Sequence, residues 1–135
     1  MKNLTITICL TLALLLGSTG TSWGADYEKG LAAAKSGDFA TALREWKPLA
    51  EKGGARAQFN LGRMYYYGEG APQNYKTAMK WWTLAAEQGD ARAQSVLGAM
   101  YQEGKGVVQD YKTAVKWYTL AAEQGYAPAQ FSLGW

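Results

Sequence analysis

Small and apolar residues recur along this chain at helical spacing, in blocks divided by glycine-rich breaks. Gln58, Leu61, Gly62 and Tyr65 fall at i, i+3, i+4 and i+7, so they share one face of a helix. Gly68-Glu69-Gly70-Ala71-Pro72 breaks that helix. A second helix is predicted to open at Tyr75 behind Asn74, with Ala78, Trp82, Ala85 and Ala86 along one side and Gly89 terminating it. Asn74, Asp110 and Asp38 carry the short side-chain oxygens that accept from the free amides of a first turn. Gly53, Gly89 and Gly125 suit the left-handed position that follows a helix.

The pattern then returns. Residues 54–89 are answered without a gap by residues 90–125, each unit reading as helix, glycine loop, helix and tight turn. A fixed period in the mid-thirties means stacked supersecondary units that bury each other's apolar faces. Residues 25–53 form an atypical amino-terminal hairpin, a cap. In it Phe39, Ala42, Trp46 and Ala50 align with Tyr75, Ala78, Trp82 and Ala86, and the opening helix around Tyr27 to Lys35 turns at Ser36-Gly37. Residues 126–135 begin another first helix and stop within it. An array truncated or only partly capped there is expected to fray at its end, and to self-associate through apolar surface around Phe131, Leu133 and Trp135.

Gly62 and Gly98 weaken their helices, and the expected reason is room for bulky neighbours such as Tyr65 or Trp81. Trp46, Trp81, Trp82 and Trp117, with Tyr65, Tyr75, Tyr101 and Tyr111, recur with the period and are expected in the core.

The amino terminus changes the picture. Lys2 precedes an apolar run from Leu4 to Leu16 and a small polar segment ending at Ser22-Trp23-Gly24-Ala25, the layout of a secretory signal peptide over residues 1–24. Cleavage after Gly24 places small Ser22 and Gly24 at the two positions that favour it. The apolar run of roughly 13 residues is shorter than the ~20 a spanning helix needs, so no stable membrane insertion is expected after cleavage. A periplasmic or secreted protein follows. Cleavage removes Cys9, the single cysteine, and the chain has no histidine.

That composition excludes much chemistry. Without histidine or cysteine, nucleophile triads, zinc sites and imidazole acid–base catalysis have no ligands or bases. No catalytic residue, cofactor or metal is expected. Glu87 and Glu123 occupy equivalent places before the turn, so the period explains them. The glycine loops are not phosphate loops, because each follows a helix where that motif needs a strand. The net charge of +3 is slight and the lysines are spread along the helices, which gives no argument for nucleic acid.

The pattern A-x-x-x-L-G-x-x-Y-x-x-G-x-G, followed by D/N-Y-x-x-A-x-x-W and A-A-x-x-G, resembles the Sel-1-like repeat, a relative of the tetratricopeptide repeat with a longer internal loop. One copy runs through Ala57, Leu61, Gly62, Tyr65, Gly68, Gly70, Asn74, Tyr75, Ala78, Trp81, Ala85, Ala86 and Gly89. The other runs through Ala93, Leu97, Gly98, Tyr101, Gly104, Gly106, Asp110, Tyr111, Ala114, Trp117, Ala121, Ala122 and Gly125. The resemblance implies an all-α fold, a right-handed alpha/alpha superhelix, and a non-catalytic adaptor for protein complexes. Exported bacterial members are linked to envelope assembly, stress signalling or host contact. Some cysteine-rich secreted members have been proposed to bind or hydrolyse beta-lactams, but the cysteines they pair within each repeat are missing here.

In tetratricopeptide-like arrays the first helix of each unit lines the concave groove. Between the two copies, Phe59, Asn60, Arg63, Tyr66 and Tyr67 become Ser95, Val96, Ala99, Gln102 and Glu103, while the scaffold positions stay the same. Residues 59, 63 and 66 share a face, with 60 and 67 beside them. These ten residues are the expected partner-binding surface, exposed and away from the packing face. A solvated face accumulates such differences too, but aromatic residues beside an arginine favour contact. The expected partner is a protein or peptide. The alternative is a peptidoglycan or glycan binder with weak hydrolytic activity, its tyrosines stacking on sugars.

Overall fold

A computed structural model describes residues 26–135, so the signal-peptide expectation and Cys9 lie outside the described residues. All regular structure among the described residues is helical. Helix α1 runs through residues 26–35, followed by α2 (Phe39–Glu51), α3 (Ala55–Tyr67), α4 (Tyr75–Glu87), α5 (Ala91–Glu103), α6 (Tyr111–Glu123) and α7 (Ala127–Leu133). Each helix from α2 onward packs chiefly on its neighbours in sequence, which gives a stack of hairpins. The core follows that stack as three clusters, built around Trp46, Trp82 and Tyr118.

The second helix of each unit starts where a side chain caps it. Asp38, Asn74 and Asp110 accept from the amides of Thr41, Thr77 and Thr113. Each also ends the same way. In α4 the Gly89 amide bonds the Ala86 carbonyl and the Asp90 amide bonds that of Ala85, and the other turns repeat this at Gly53-Gly54 and Gly125-Tyr126. This double closure satisfies carbonyls that a helix end otherwise leaves open.

The glycines inside the first helices have a more specific purpose than the sequence suggests. A Cβ on Gly62 would overlap Cδ1 and Nε1 of Trp82, not Tyr65 or Trp81. Gly30 lies against Trp46 in the same way, and on Gly98 a Cβ would meet Tyr118 Cδ1 at 2.7 Å. Each glycine opens a notch that takes the ring of the second helix. With the ring seated, the Trp46 indole donates to the Tyr27 carbonyl and that of Trp82 to the Phe59 carbonyl, both at 3.0 Å. In the last notch the ring is a tyrosine, whose hydroxyl donates instead to the Gln102 side chain at 2.9 Å.

A second periodic device was hidden in the sequence because its residue is polar. Gln58, Gln94 and Gln130 each donate back to the last turn of the preceding helix, at the carbonyls of Ala50, Ala86 and Ala122, all at 3.1 Å. Gln58 and Gln94 are buried, and their side-chain oxygens accept from Gln88 and Gln124 at 2.8 Å. Gln88 also donates to the Gly53 carbonyl. These amides staple three consecutive helices together. Gln94→Leu is expected to cost ~2 kcal/mol, because the Gln124 amide keeps only a long bond to the Leu120 carbonyl and the Ala86 carbonyl only its turn amide. An unchanged melting temperature would show the ladder to be dispensable.

The internal loop holds units together as well. Gly70 has φ of 74°, which side chains disfavour, and a Cβ there would meet the Phe39 carbonyl of the preceding unit at 2.6 Å. The next loop presses Gly106 against Tyr75 in the same manner. Tyr111 holds the position of Tyr75 but has no following loop upon it, so it is 63% exposed and not part of the core. Trp81 is buried as expected, whereas Trp117, Tyr65, Tyr75 and Tyr101 are only half-buried. Leu133, expected at an exposed end, packs against the third cluster, while Phe131 and Trp135 stay exposed. Gly134 closes α7 in a left-handed cap.

Candidate functional site

The first helices α3, α5 and α7 border a cleft of about 390 Å³. Its floor is made by rings and a thioether that the second helices and α5 push inward: Trp82, Met100 and Tyr118. One wall carries Phe59, Arg63, Tyr66 and Tyr67 from α3, and the other carries Tyr126, Pro128 and Ser132. Between them α5 contributes the short side chains Ser95, Val96 and Ala99, which leave the space that Phe59 and Arg63 would fill at the equivalent positions. The cleft exists because the two copies differ in bulk on this face.

Eight of the ten residues singled out from the sequence line this cleft: Phe59, Arg63, Tyr66, Tyr67, Ser95, Val96, Ala99 and Glu103. Asn60 does not. It donates to the Tyr27 hydroxyl at 3.0 Å and faces a smaller cleft of about 230 Å³ under α1 and α2. Gln102 also lies off the lining, where it accepts from Tyr118. The expected exposure fails for five others. Ser95 is buried and Phe59 and Tyr66 are half-buried, because helices this close cannot leave large rings wholly in water, and the smaller Val96 and Ala99 are half-buried as well. Phe59 lies 6.4 Å from Trp82 and has the Arg92 guanidinium 4.3 Å above its ring. Tyr66 is the hub of an aromatic group, with Tyr67 and Tyr75 at 5.0 Å and Trp82 at 5.4 Å. Tyr67, 62% exposed, and Arg63, about half exposed, are the side chains that reach out from the wall.

Lys105 completes the rim and was not among the residues expected from the sequence. It stands in the second loop where Glu69 stands in the first, and it reaches back across the repeat boundary to the Tyr66 hydroxyl at 3.1 Å. Its ammonium also pairs with Glu103 at 2.8 Å. Glu103 first, then the Tyr66 hydroxyl, raises the Lys105 pKa above the usual lysine range. The signal available in the sequence was the reversal of charge between Gly68-Glu69-Gly70 and Gly104-Lys105-Gly106. Glu69 lines the smaller cleft, 3.8 Å from Arg63, which borders both.

Two further groups are tuned by their surroundings. Burial opposes ionisation of Asp90, but hydrogen bonds from Arg92 and the Ala93 amide outweigh it and hold the carboxyl below its ordinary pKa. This pairing at 2.6 Å fixes the guanidinium over Phe59. Burial pushes the Tyr118 phenol up, and its hydroxyl donates to Gln102. No group of three or more histidine, cysteine, aspartate or glutamate residues that could hold a metal occurs among the described residues. The cleft is thus an aromatic and aliphatic trough with a charged rim, suited to holding a side chain or short segment.

Comparison with known proteins gives concordant results. The Sel1 repeat profile matches residues 55–90 and 91–126. Among solved structures, a Sel1 repeat protein from Oxalobacter formigenes is 34% identical with a TM-score of 0.77, over 80% of this chain and 44% of that one. A protective antigen of uropathogenic Escherichia coli displaying an SLR fold is 38% identical with a TM-score of 0.79, over 89% of this chain and 27% of that one. This chain therefore spans less than half the length of either. Cysteine-rich protein B of Helicobacter pylori, 20% identical with a TM-score of 0.63 over 80% of this chain and 92% of that one, shares the fold. Comparison with curated proteins returned no significant match.

Proposed function

We infer the function of this chain from the premise that it belongs to the Sel1 repeat family: it is a binding module that holds a segment of a partner protein in the cleft along α3, α5 and α7, without catalysis. Sel1 repeat proteins generally mediate protein–protein interactions. The envelope is the proposed place of action, periplasmic or secreted, on the strength of the leader-like first 24 residues. The observation that carries the binding reading is the position of the differences between two nearly identical copies. On the first helices they gather mainly on one cleft, whereas the notch glycines Gly62 and Gly98 and the ladder glutamines Gln58 and Gln94 stay the same.

In-cell photo-crosslinking from position 67 tests this, with position 87 on the outer face of α4 as the control. A discrete protein adduct from 67 and not from 87 is expected. Arg63→Ala should lower its yield on the order of tenfold, as loss of an interface arginine does, and should cost at most ~1 kcal/mol of stability, because the pair it breaks with Glu69 is long and half exposed. No adduct from 67 in folded, exported protein would sink the adaptor reading. Sedimentation of the purified protein with peptidoglycan would then favour a glycan ligand, for which the exposed Tyr67 ring is the supporting feature.

A further inference from the structure

The lysines that are spread along the sequence come together in the fold. In α4, Lys76, Lys80, Leu84 and Glu87 follow one another at i, i+4, i+8 and i+11, on the side opposite the buried Ala78, Trp82 and Ala85. In α6, Lys112, Lys116, Leu120 and Glu123 repeat this order, and α2 adds Arg44 and Lys47. All six cations are exposed. Since second helices occupy equivalent places in successive hairpins, these positions line up as a basic ribbon across the outer face. A row of exposed apolar side chains, Leu84, Val115 and Leu120, lies among them.

Of these six cations one is ion-paired among the described residues, Arg44 with Glu45 at 3.6 Å. The cations at the cleft rim are each paired, Arg63 with Glu69 and Lys105 with Glu103. Among the described residues, no carboxylate lies within ion-pairing distance of Lys76, Lys80, Lys112 or Lys116. Lys116 acts on Asp110 only through space, and Lys80 lies 5.6 Å over the Trp81 ring. The charges also run against their own helices. Lys76 and Lys112 sit in first turns, at the positive end of the helix dipole, and Glu87 and Glu123 close the negative end. Lys76 and Lys80, like Lys112 and Lys116, are same-sign neighbours one turn apart, which weakens a helix further. A surface that works against its own helices calls for a counter-charge from outside.

We propose that the outer face of α2, α4 and α6 docks on an anionic lipid surface, with the lysine ends of the helices towards the phosphates. Charge complementarity selects an anionic partner. The leucines and valine among the lysines select a lipid surface over a polyanion such as nucleic acid, because a phosphate backbone has no use for apolar side chains, whereas a headgroup layer accepts them beside lysine stems. The glutamate row sets the tilt, keeping the carboxyl ends of the helices off the surface. Docking by this face leaves the cleft open on the other side. No described helix is long and apolar enough to cross a membrane.

The test is binding of the full chain to vesicles of phosphatidylglycerol and phosphatidylcholine in equal parts, against vesicles of phosphatidylcholine alone. Each lysine near an anionic surface adds to the attraction, so the variant K76Q/K80Q/K112Q/K116Q should bind the mixed vesicles on the order of a hundredfold more weakly. Raised salt should weaken the parent in the same direction. The variant should also melt at a higher temperature than the parent, a readout that a structural role for these lysines would reverse. Arg63→Ala should leave vesicle binding unchanged, which separates this face from the cleft. Equal binding of parent and variant, or of mixed and neutral vesicles, would overturn the proposal. Binding to a soluble polyphosphate without binding to mixed vesicles would overturn it in favour of a polyanion.

Discussion

Replacing Trp82 with alanine is expected to remove ~4 kcal/mol of stability, the upper part of the range for deleting a buried aromatic ring. Trp82 is 2% exposed and touches the second core cluster, Tyr66 and Phe59. Its indole also satisfies the Phe59 carbonyl from another helix. The loss therefore combines a cavity, a hydrogen bond and the support behind the cleft wall. In a stack where each hairpin leans on the next, that loss falls between two interfaces. Urea melts read by circular dichroism give the magnitude. Amide exchange should show α3 to α5 losing protection before α1 and α2. A loss below about 2 kcal/mol would mean that the neighbouring rings collapse into the space and that the seated indole does not hold the hairpins together.

Gly62→Ala is expected to be nearly as damaging, at ~3 kcal/mol, although alanine is the better helix former. The added methyl has nowhere to go, because the indole of Trp82 already fills the space against the Gly62 backbone. Either the indole is expelled from its hydrogen bond with Phe59 or the two helices part. The mechanism predicts a coupling: in a Trp82→Ala background, Gly62→Ala should cost little or become stabilising by ~1 kcal/mol, as helix propensity alone dictates. Additive losses in the double variant would reject the notch as the cause. Gly98→Ala is the companion test against Tyr118, a ring lacking the indole donor.

Helix boundaries, caps and the period were legible because each rests on local chemistry. Asn74 and Asp110 cap where a short oxygen precedes an apolar run, and Gly89 turns at a positive φ that side chains disfavour. The glutamine ladder was legible only as a recurrence. Gln58 falls on the apolar register, and nothing local tells a buried amide with two partners from a solvated one. The candidate cleft divides in the same way. Arg63, Tyr67, Val96, Ala99 and Glu103 were found from the differences between copies, but Asn60 and Gln102 shared the helical face without sharing the space. Lys105 was missed because its partner Tyr66 belongs to the preceding unit.

By itself the sequence determined that the regular structure of the described residues is helical, that the unit repeats with a fixed period, and where the second helices are capped and closed. Those features depend on side-chain spacing and on contacts within a few residues, which the order of residues states directly. Only the tertiary structure decided which ring enters which glycine notch, that the Tyr66 ring is partly core while Tyr111 is surface, and that lysines distant in sequence form one ribbon. These depend on what the next hairpin places opposite each residue. The loop at Gly106 covers Tyr75, and no loop covers Tyr111. The same residue in the same motif is therefore buried or exposed according to its neighbour in the stack.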